Sequence, residues 1–163
     1  MDAGGGPVSR EEQDLLSRGA LGTFRLNGQF LAVAEELARP AGLTAAWWQV
    51  LGAVLGEPLP VSGIARAMGI TRQSVQRVAD LLVERGLAEY RPNPAHRRAK
   101  LLAPTEEGRS AVRRIGPGHA AYAGRLARAF EEAYGQEGLM EAVRALERLS
   151  EVLDALGPPV TEP

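Results

Sequence analysis

The chain has 163 residues, of which 45 % are hydrophobic, and its formal net charge is −1. This length and composition predict a globular chain with a sizeable core, and its apolar runs are too short to span a membrane. The absence of cysteine excludes disulfides, thiolate metal sites and thiol redox sensing within the chain.

Two helices are predicted in the first third of the chain, after a Gly-rich segment, residues 1–8, that lacks a signal-peptide pattern. We therefore expect a disordered tail there and a cytoplasmic protein. Ser9, followed by acidic residues, is an N-cap signal for a helix that runs to about Ala38. Thr44 caps a second helix, from Ala45 to about Leu55, which is apolar on nearly every side and should be buried.

Two short helices joined by a tight turn come next. After residues 59–61, which are too few for more than a strand stub, Ser62 is expected to cap a helix over residues 63–68. Thr71 caps a longer helix from Arg72 to about Arg85, which a glycine closes. This arrangement predicts a helix-turn-helix.

A β-hairpin is predicted directly after the helix-turn-helix. Its strands are residues 87–91 and 98–103, and residues 92–97, which include two prolines, form the loop. A helix-turn-helix followed by a hairpin is a winged helix. The predicted fold class is therefore mainly α (α+β), a winged helix-turn-helix flanked by further helices.

Helices also fill the last third of the predicted fold. One begins at Glu106, and Gly116-Pro117-Gly118 is expected to kink or interrupt it before it resumes over residues 119–134. Another, residues 139–156, has apolar residues at three- and four-residue spacing. The first and last helices carry apolar stripes that a small winged helix cannot cover, so we expect core and dimer interface to coincide there.

Basic charge is concentrated in the winged region. Between Arg66 and Lys100 there are eight basic and three acidic residues, a local charge of +5, whereas the rest of the chain carries −6. Such concentration is typical of a protein that binds nucleic acid. A solvated basic face is the alternative explanation.

The helix that begins at Arg72 has a polar face suited to reading DNA. When the first half of a helix enters the major groove, arginine can form two hydrogen bonds with O6 and N7 of guanine, and glutamine with N6 and N7 of adenine. An ordinary amphipathic helix is the alternative. The candidate recognition residues are Arg72, Gln73, Ser74, Gln76 and Arg77.

The hairpin tip adds Asn93, His96, Arg97 and Arg98, and the last three are the candidate DNA contacts. Two prolines make this loop extended and semi-rigid, so it could place a guanidinium in the minor groove. A solvated turn is the alternative, and a pH-sensitive role for His96 stays open.

These motifs resemble the MarR (multiple-antibiotic-resistance regulator) family of transcriptional regulators. The segment SGIARAMGITRQSVQRVADLLVERGLAEYRPNPAHRRAKLLAPTEEG, residues 62–108, resembles the winged helix of that family, and GLTAAWWQVLGAVL, residues 42–55, resembles the preceding helix. One departure is His96, which stands where the family wing usually has an acid. A histidine cannot supply the fixed negative charge that orients a wing arginine.

The resemblance implies a homodimer that binds a palindromic operator of about 16–20 base pairs and regulates transcription, expected to be as a repressor. It divides the chain into a tail (residues 1–8), an N-terminal dimerisation helix (9–42), a winged DNA-binding region (43–108), C-terminal dimerisation helices (109–157) and a tail (158–163). No cofactor, metal site or membrane partner is expected.

Family members commonly bind small amphipathic or aromatic ligands between the dimerisation helices and the winged helix, and then release DNA. The candidate effector residues here are Phe24, Phe30, Trp47 and Trp48. Core packing is the alternative role for all four side chains.

Two other functions compete with DNA binding. One is a winged-helix module that binds protein instead of DNA, which is compatible with the acidic flanks. Such a module has no need of a shared basic face, whereas DNA binding requires one, formed by Arg72, Arg77, Arg97 and Arg98. An enzyme is not expected, because no nucleophile–base set and no phosphate-binding glycine loop appear in the sequence.

Overall fold

The computed structural model describes residues 9–158, so the predicted tails, apart from Pro158, lie outside the described residues. The chain divides into two units, one up to Gly116 and one from Pro117 onward. Within residues 9–158 no helix has both the length and the apolar character needed to cross a membrane.

The first unit is a winged helix preceded by a long helix. Its three short strands form one antiparallel sheet in the order β1-β3-β2, in which Leu102 of the central strand pairs with Leu59 on one side and Tyr90 on the other. The predicted fold class is confirmed. The elements are α1 (Arg10–Ala38), a 3-10 turn (Arg39–Ala41), α2 (Ala45–Ala53), β1 (Leu59–Pro60), α3 (Val61–Met68), α4 (Arg72–Glu84), β2 (Ala88–Arg91), β3 (Leu101–Pro104) and the start of α5 (Glu106–Tyr134).

Side-chain caps explain where α1 and α2 begin. Ser9 Oγ accepts a hydrogen bond from the Glu12 N–H at 3.1 Å, and the Glu12 carboxylate accepts one from the Ser9 N–H at 2.8 Å. This backbone hydrogen bond from Ser9 lowers the pKa of Glu12. Thr44 Oγ1 accepts from the Trp47 N–H at 3.2 Å, while Glu35 of α1 accepts from the Ala45 N–H at 2.7 Å. The N-terminus of α2 therefore has two caps.

Two of the predicted helix boundaries are wrong. Helix α3 begins at Val61 with Pro60 in the N-cap position, so Ser62 lies inside the helix and does not cap it. Because Pro60 pairs with Leu101 in the sheet, the chain passes directly from β1 into α3. Helix α5 runs through Pro117, so of the two predicted alternatives, a kink or an interruption, the interruption is wrong. One proline removes a single helical hydrogen bond, and its glycine neighbours add no side chains to crowd the ring.

The second strand of the hairpin begins later in the chain than predicted. Strand β3 begins at Leu101, so the loop covers residues 92–100 and not 92–97. The Ala95 N–H bonds Asn93 Oδ1 at 3.0 Å, and the Ala99 N–H bonds the His96 carbonyl at 3.1 Å. Because these two N–H groups have acceptors within the loop, they do not extend the hydrogen-bonded pairing of β3 with β2.

The core of the first unit joins α2, α3, α4, the sheet and the start of α5. Val75, Ala79 and Leu82 of α4 are fully buried in it. Since these residues share one face of the helix, the opposite face of α4 is turned to solvent. The largest fully buried side chains are Leu51, Ile64, Leu82, Leu102, Val50, Val54 and Val75.

The second unit consists of the rest of α5 and of α6 (Gly138–Leu156). Rings of Phe130 and Tyr134 pack at a centroid distance of 5.5 Å at the end of α5. Much of the apolar stripe predicted on the last helix is exposed to solvent in the single chain. The exposed apolar side chains of α6 are Met140, Val143, Leu146, Leu149, Val152, Leu153 and Leu156.

Candidate nucleic-acid interface

A capped turn determines which side chains form the first turns of α4. Gly69, with a φ of +64°, is the left-handed residue that closes α3. Thr71 Oγ1 accepts a hydrogen bond from the Ser74 N–H at 3.2 Å and lies 2.9 Å from Ser74 Oγ. The Ser74 hydroxyl therefore takes part in the cap, in addition to any contact with DNA.

All five predicted recognition residues lie on the exposed side of α4. They are Arg72, Gln73, Ser74, Gln76 and Arg77. The three predicted wing residues, His96, Arg97 and Arg98, are likewise exposed in the loop of residues 92–100, which we call the wing.

A cleft between α4 and the wing brings two of the predicted groups together. On one side it is lined by the start of α4 and on the other by residues near the end of the wing. The polar side chains in its lining are Ser62, Arg72, Gln73, Gln76, Tyr90, Arg98 and Lys100. Arg72 and Arg98 thus share a surface, as DNA binding requires. Arg77, His96 and Arg97 do not line this cleft.

A hydrogen-bonded network, here called the Tyr90 network, links α4 to β2. Tyr90 Oη donates to Asp80 Oδ1 at 2.6 Å, and Gln76 Nε2 donates to both Tyr90 Oη and Asp80 Oδ1 at 2.8 Å. Partial burial, with the hydrogen bond to Asp80 and its charge, raises the pKa of Tyr90 to about 12. The phenol is therefore a protonated donor at neutral pH. Lys100 of the wing lies over the Tyr90 ring, 5.8 Å from its centroid.

Comparison with known proteins agrees with this geometry. A family model described as the MarR family matches residues 41–99. The uncharacterized protein Rv2011c of Mycobacterium tuberculosis is 44 % identical over 102 residues, which cover 63 % of this chain and 71 % of that protein. This chain belongs to the MarR family.

Two solved structures extend the comparison to most of the chain. CouR of Rhodococcus jostii, solved with p-coumaroyl-CoA bound, is 27 % identical with a TM-score of 0.56, covering 85 % of this chain and 91 % of CouR. The transcriptional regulator MosR of M. tuberculosis, solved in complex with DNA, is 22 % identical with a TM-score of 0.66, covering 85 % of this chain and 98 % of MosR. An identity of 22 % shows that MosR and this chain share a fold and shows nothing more. The chain has the fold of a MarR-family transcription regulator.

Asp80, Tyr90 and Lys100 also belong to this candidate site, although none of them is among the predicted DNA contacts. The spacing of Gln76 and Asp80, four residues apart on one helix, was a visible signal of a side-chain pair. Tyr90 joins them only through the packing of α4 on β2, which spacing along the chain does not reveal.

A second missed pair lies on β2, next to the wing. Glu89 Oε1 accepts hydrogen bonds from Arg91 Nε at 2.7 Å and from an Arg91 terminal nitrogen at 2.6 Å. Residues two apart on a strand share a face, so this pair was open to prediction. Glu89 thus holds the Arg91 guanidinium in place on the strand that leads into the wing.

The four candidate effector residues have different surroundings in the single chain. Phe24 and Phe30 of α1 are 73 % and 54 % exposed. Trp47 and Trp48 of α2 are half-buried against the core, and the Arg85 guanidinium lies 5.5 Å from the centroid of the Trp47 ring. Across residues 9–158 no group of three or more His, Asp or Glu side chains could hold a metal ion.

Proposed function

We propose that this MarR-family regulator binds a palindromic operator as a homodimer and represses transcription. The observation that carries the proposal is the joint exposure of Arg72, Gln73 and Gln76 on α4 and of Arg98 on the wing around one cleft. Helix side chains of this kind read the major groove. The wing arginines would enter the flanking minor groove or bind phosphate. The DNA complex of MosR supports the proposal, because the same fold binds a duplex there.

Exposed apolar side chains on both flanking regions support the homodimer. On α1 they include Leu16, Phe24 and Phe30, which are 69 %, 73 % and 54 % exposed. Each large apolar side chain that is withdrawn from water contributes about 1.5–3 kcal/mol. A second copy of the chain would bury these rows and, by two-fold symmetry, present two copies of α4 to one duplex. An operator of about 16–20 base pairs follows from half-sites one helical turn apart.

A salt titration tests the DNA interface. We expect the logarithm of the association constant to fall steeply with the logarithm of salt concentration. Arg72→Ala and Arg98→Ala, which remove the two arginines that line the cleft, should each lower this slope by about 1. Arg18→Ala, which removes the same charge from an exposed position on α1, is the matched control and should leave the slope unchanged.

A winged-helix module that binds protein would give a different result. It would show the weak binding of any basic surface to DNA, with no preference for a duplex from upstream of its own coding region over random DNA. Equal slopes for Arg72→Ala, Arg98→Ala and Arg18→Ala would contradict the proposed interface.

We also propose that a small amphipathic or aromatic ligand releases the regulator from DNA. CouR, with its bound p-coumaroyl-CoA, supports this class of ligand. Trp47 and Trp48 are the only tryptophans in the chain, so their fluorescence reports binding near α2. We expect p-coumaroyl-CoA or p-coumaric acid to change the emission of the DNA-free protein and to weaken operator binding. No change in either measurement at saturating ligand would contradict the proposed ligand class.

A further inference from the structure

A closed triangle of hydrogen bonds holds the end of the Gln76 side chain. Gln76 Nε2 lies 2.8 Å from both Asp80 Oδ1 and Tyr90 Oη, and these two oxygens are 2.6 Å apart. The two acceptors therefore lie in nearly the same direction from the amide nitrogen, so one N–H of the amide faces both of them. The second N–H and the amide oxygen, Oε1, stay available to an outside partner.

The same two partners determine which end of the amide faces the protein. Tyr90 Oη donates its one hydrogen to Asp80 Oδ1, so the phenol oxygen can accept from the Gln76 N–H. An ionised carboxylate can only accept. A flipped amide would place Gln76 Oε1 against the Asp80 carboxylate, which is repulsive, so the orientation with Nε2 toward the pair is favoured.

Tyr90 is a fixed anchor for this triangle. Its side chain packs against the core of the first unit, and its backbone pairs with Leu102 in the central strand. An exposed glutamine is ordinarily free to exchange among several rotamers. Here the end of the Gln76 side chain is tied to the sheet and to the next turn of its own helix.

We propose that Tyr90 and Asp80 are positioning residues that hold Gln76 in the conformation with which it reads a base in the major groove. This inference rests on the proposed function, because it requires α4 to lie in that groove. A mobile glutamine would lose its rotamer freedom only on contact with the preferred base, and this cost would reduce its discrimination between bases. An amide that is already held avoids the cost, so Gln76 determines specificity and depends on the pair to do so.

The test begins with duplexes selected from a random pool by the full-length protein. The base position read by Gln76 is the one at which Gln76→Ala loses discrimination. Four duplexes, with each base at that position in both half-sites, are then titrated, and the ratio of the weakest to the tightest Kd measures discrimination. Tyr90→Phe removes the hydroxyl but keeps the ring beside Lys100. We expect it to lower the ratio about two- to tenfold, the cost of ordering one side chain.

Two comparisons separate positioning from a general structural role. Discrimination at the position read by Arg72, located in the same way with Arg72→Ala, should be unchanged in Tyr90→Phe. For the preferred duplex, Tyr90→Phe should weaken binding in the wild type but add nothing to Gln76→Ala, whereas independent effects would add. Tyr134→Phe, which removes the same hydroxyl from an exposed position of α5, is the matched control and should leave every ratio unchanged.

The restraint on Gln76 is measured directly in the DNA-free protein. The ¹⁵N–¹H heteronuclear NOE of the Gln76 side-chain amide should be higher in the wild type than in Tyr90→Phe. The resonance is assigned by its absence from the spectrum of Gln76→Ala.

The outcomes distinguish this inference from the proposed function. Selection that yields no preferred duplex overturns both. A preferred duplex at which Gln76→Ala loses no discrimination overturns the positioning role alone. So does discrimination at the Gln76 position that is unchanged or raised in Tyr90→Phe, an additive loss of affinity in the double variant, or an equal NOE in the wild type and Tyr90→Phe.

Discussion

Gly108, in the first turn of α5, packs directly against the backbone carbonyl of Leu87. A Cβ atom at Gly108 would overlap with the Leu87 carbonyl oxygen and also come 3.4 Å from Leu51 Cδ2. The Thr105 hydroxyl, three residues earlier, donates to the Gly86 carbonyl at 2.6 Å. These contacts fix α5 to the end of α4 and the start of β2, and only glycine allows so close an approach.

Gly108→Ala should therefore destabilise the first unit. Neither partner can move without shifting backbone, so we expect a loss of about 1–3 kcal/mol in the free energy of unfolding. Urea denaturation followed by circular dichroism measures it. Gly52→Ala is the matched control, because a Cβ at this exposed position of α2 meets nothing within 4 Å. The control should be neutral or stabilising by up to about 1 kcal/mol.

Glu35 joins α1 to α2 through its hydrogen bond from the Ala45 N–H, at 2.7 Å. Glu35→Ala should lower the free energy of unfolding by about 1 kcal/mol, the usual cost of losing a helix cap. Glu36→Ala should change it less, since Glu36 makes an exposed ion pair with Arg39. Equal effects of these two substitutions in chemical denaturation would show that the Glu35 cap does not contribute.

The raised pKa of Tyr90 predicts a loss of stability at high pH. The folded protein favours the neutral phenol, so this contribution is complete below the unfolded pKa of about 10. It is lost as the pH rises from there through the folded value of about 12. The difference in tyrosinate absorbance between wild type and Tyr90→Phe isolates this group. A midpoint near 10 in that difference titration would contradict the hydrogen bond to Asp80.

Dimer formation is proposed to depend on the exposed apolar side chains of α1. Phe24→Glu places a charge in that row, and we expect sedimentation velocity to show a shift from dimer toward monomer. Gln29→Glu adds the same charge at an exposed polar position of the same helix and should leave the dimer intact. An unchanged dimer in Phe24→Glu would show that another surface mediates association.

Features that depend on neighbouring residues were predictable from the sequence. The predicted N-caps at Ser9, Thr44 and Thr71 are local hydrogen bonds, and the structure confirms each of them. Gly86, with a φ of +69°, closes α4 as its position in the sequence indicates. Residue type and spacing carry this information because the bonds span only three or four residues.

Features that depend on tertiary contacts were not predictable in the same way. The start of α3 follows from the pairing of Pro60 with Leu101, which lies on a distant strand. The predicted interruption at Pro117 does not occur, because one missing hydrogen bond is a small loss in a helix of 29 residues. In the candidate site, the exposure of Gln76 was predicted, but the commitment of its amide to Tyr90 was not, because 14 residues separate them.

The most direct test of the central claim is a titration of a selected palindromic duplex and of a scrambled duplex of the same composition, at one salt concentration. Fluorescence anisotropy gives both affinities and, above the dissociation constant, the number of chains bound per duplex. We predict two chains per palindrome and binding at least about a thousandfold tighter than to the scrambled duplex. Equal affinities for the two duplexes, or a stoichiometry of one chain, would contradict the claim.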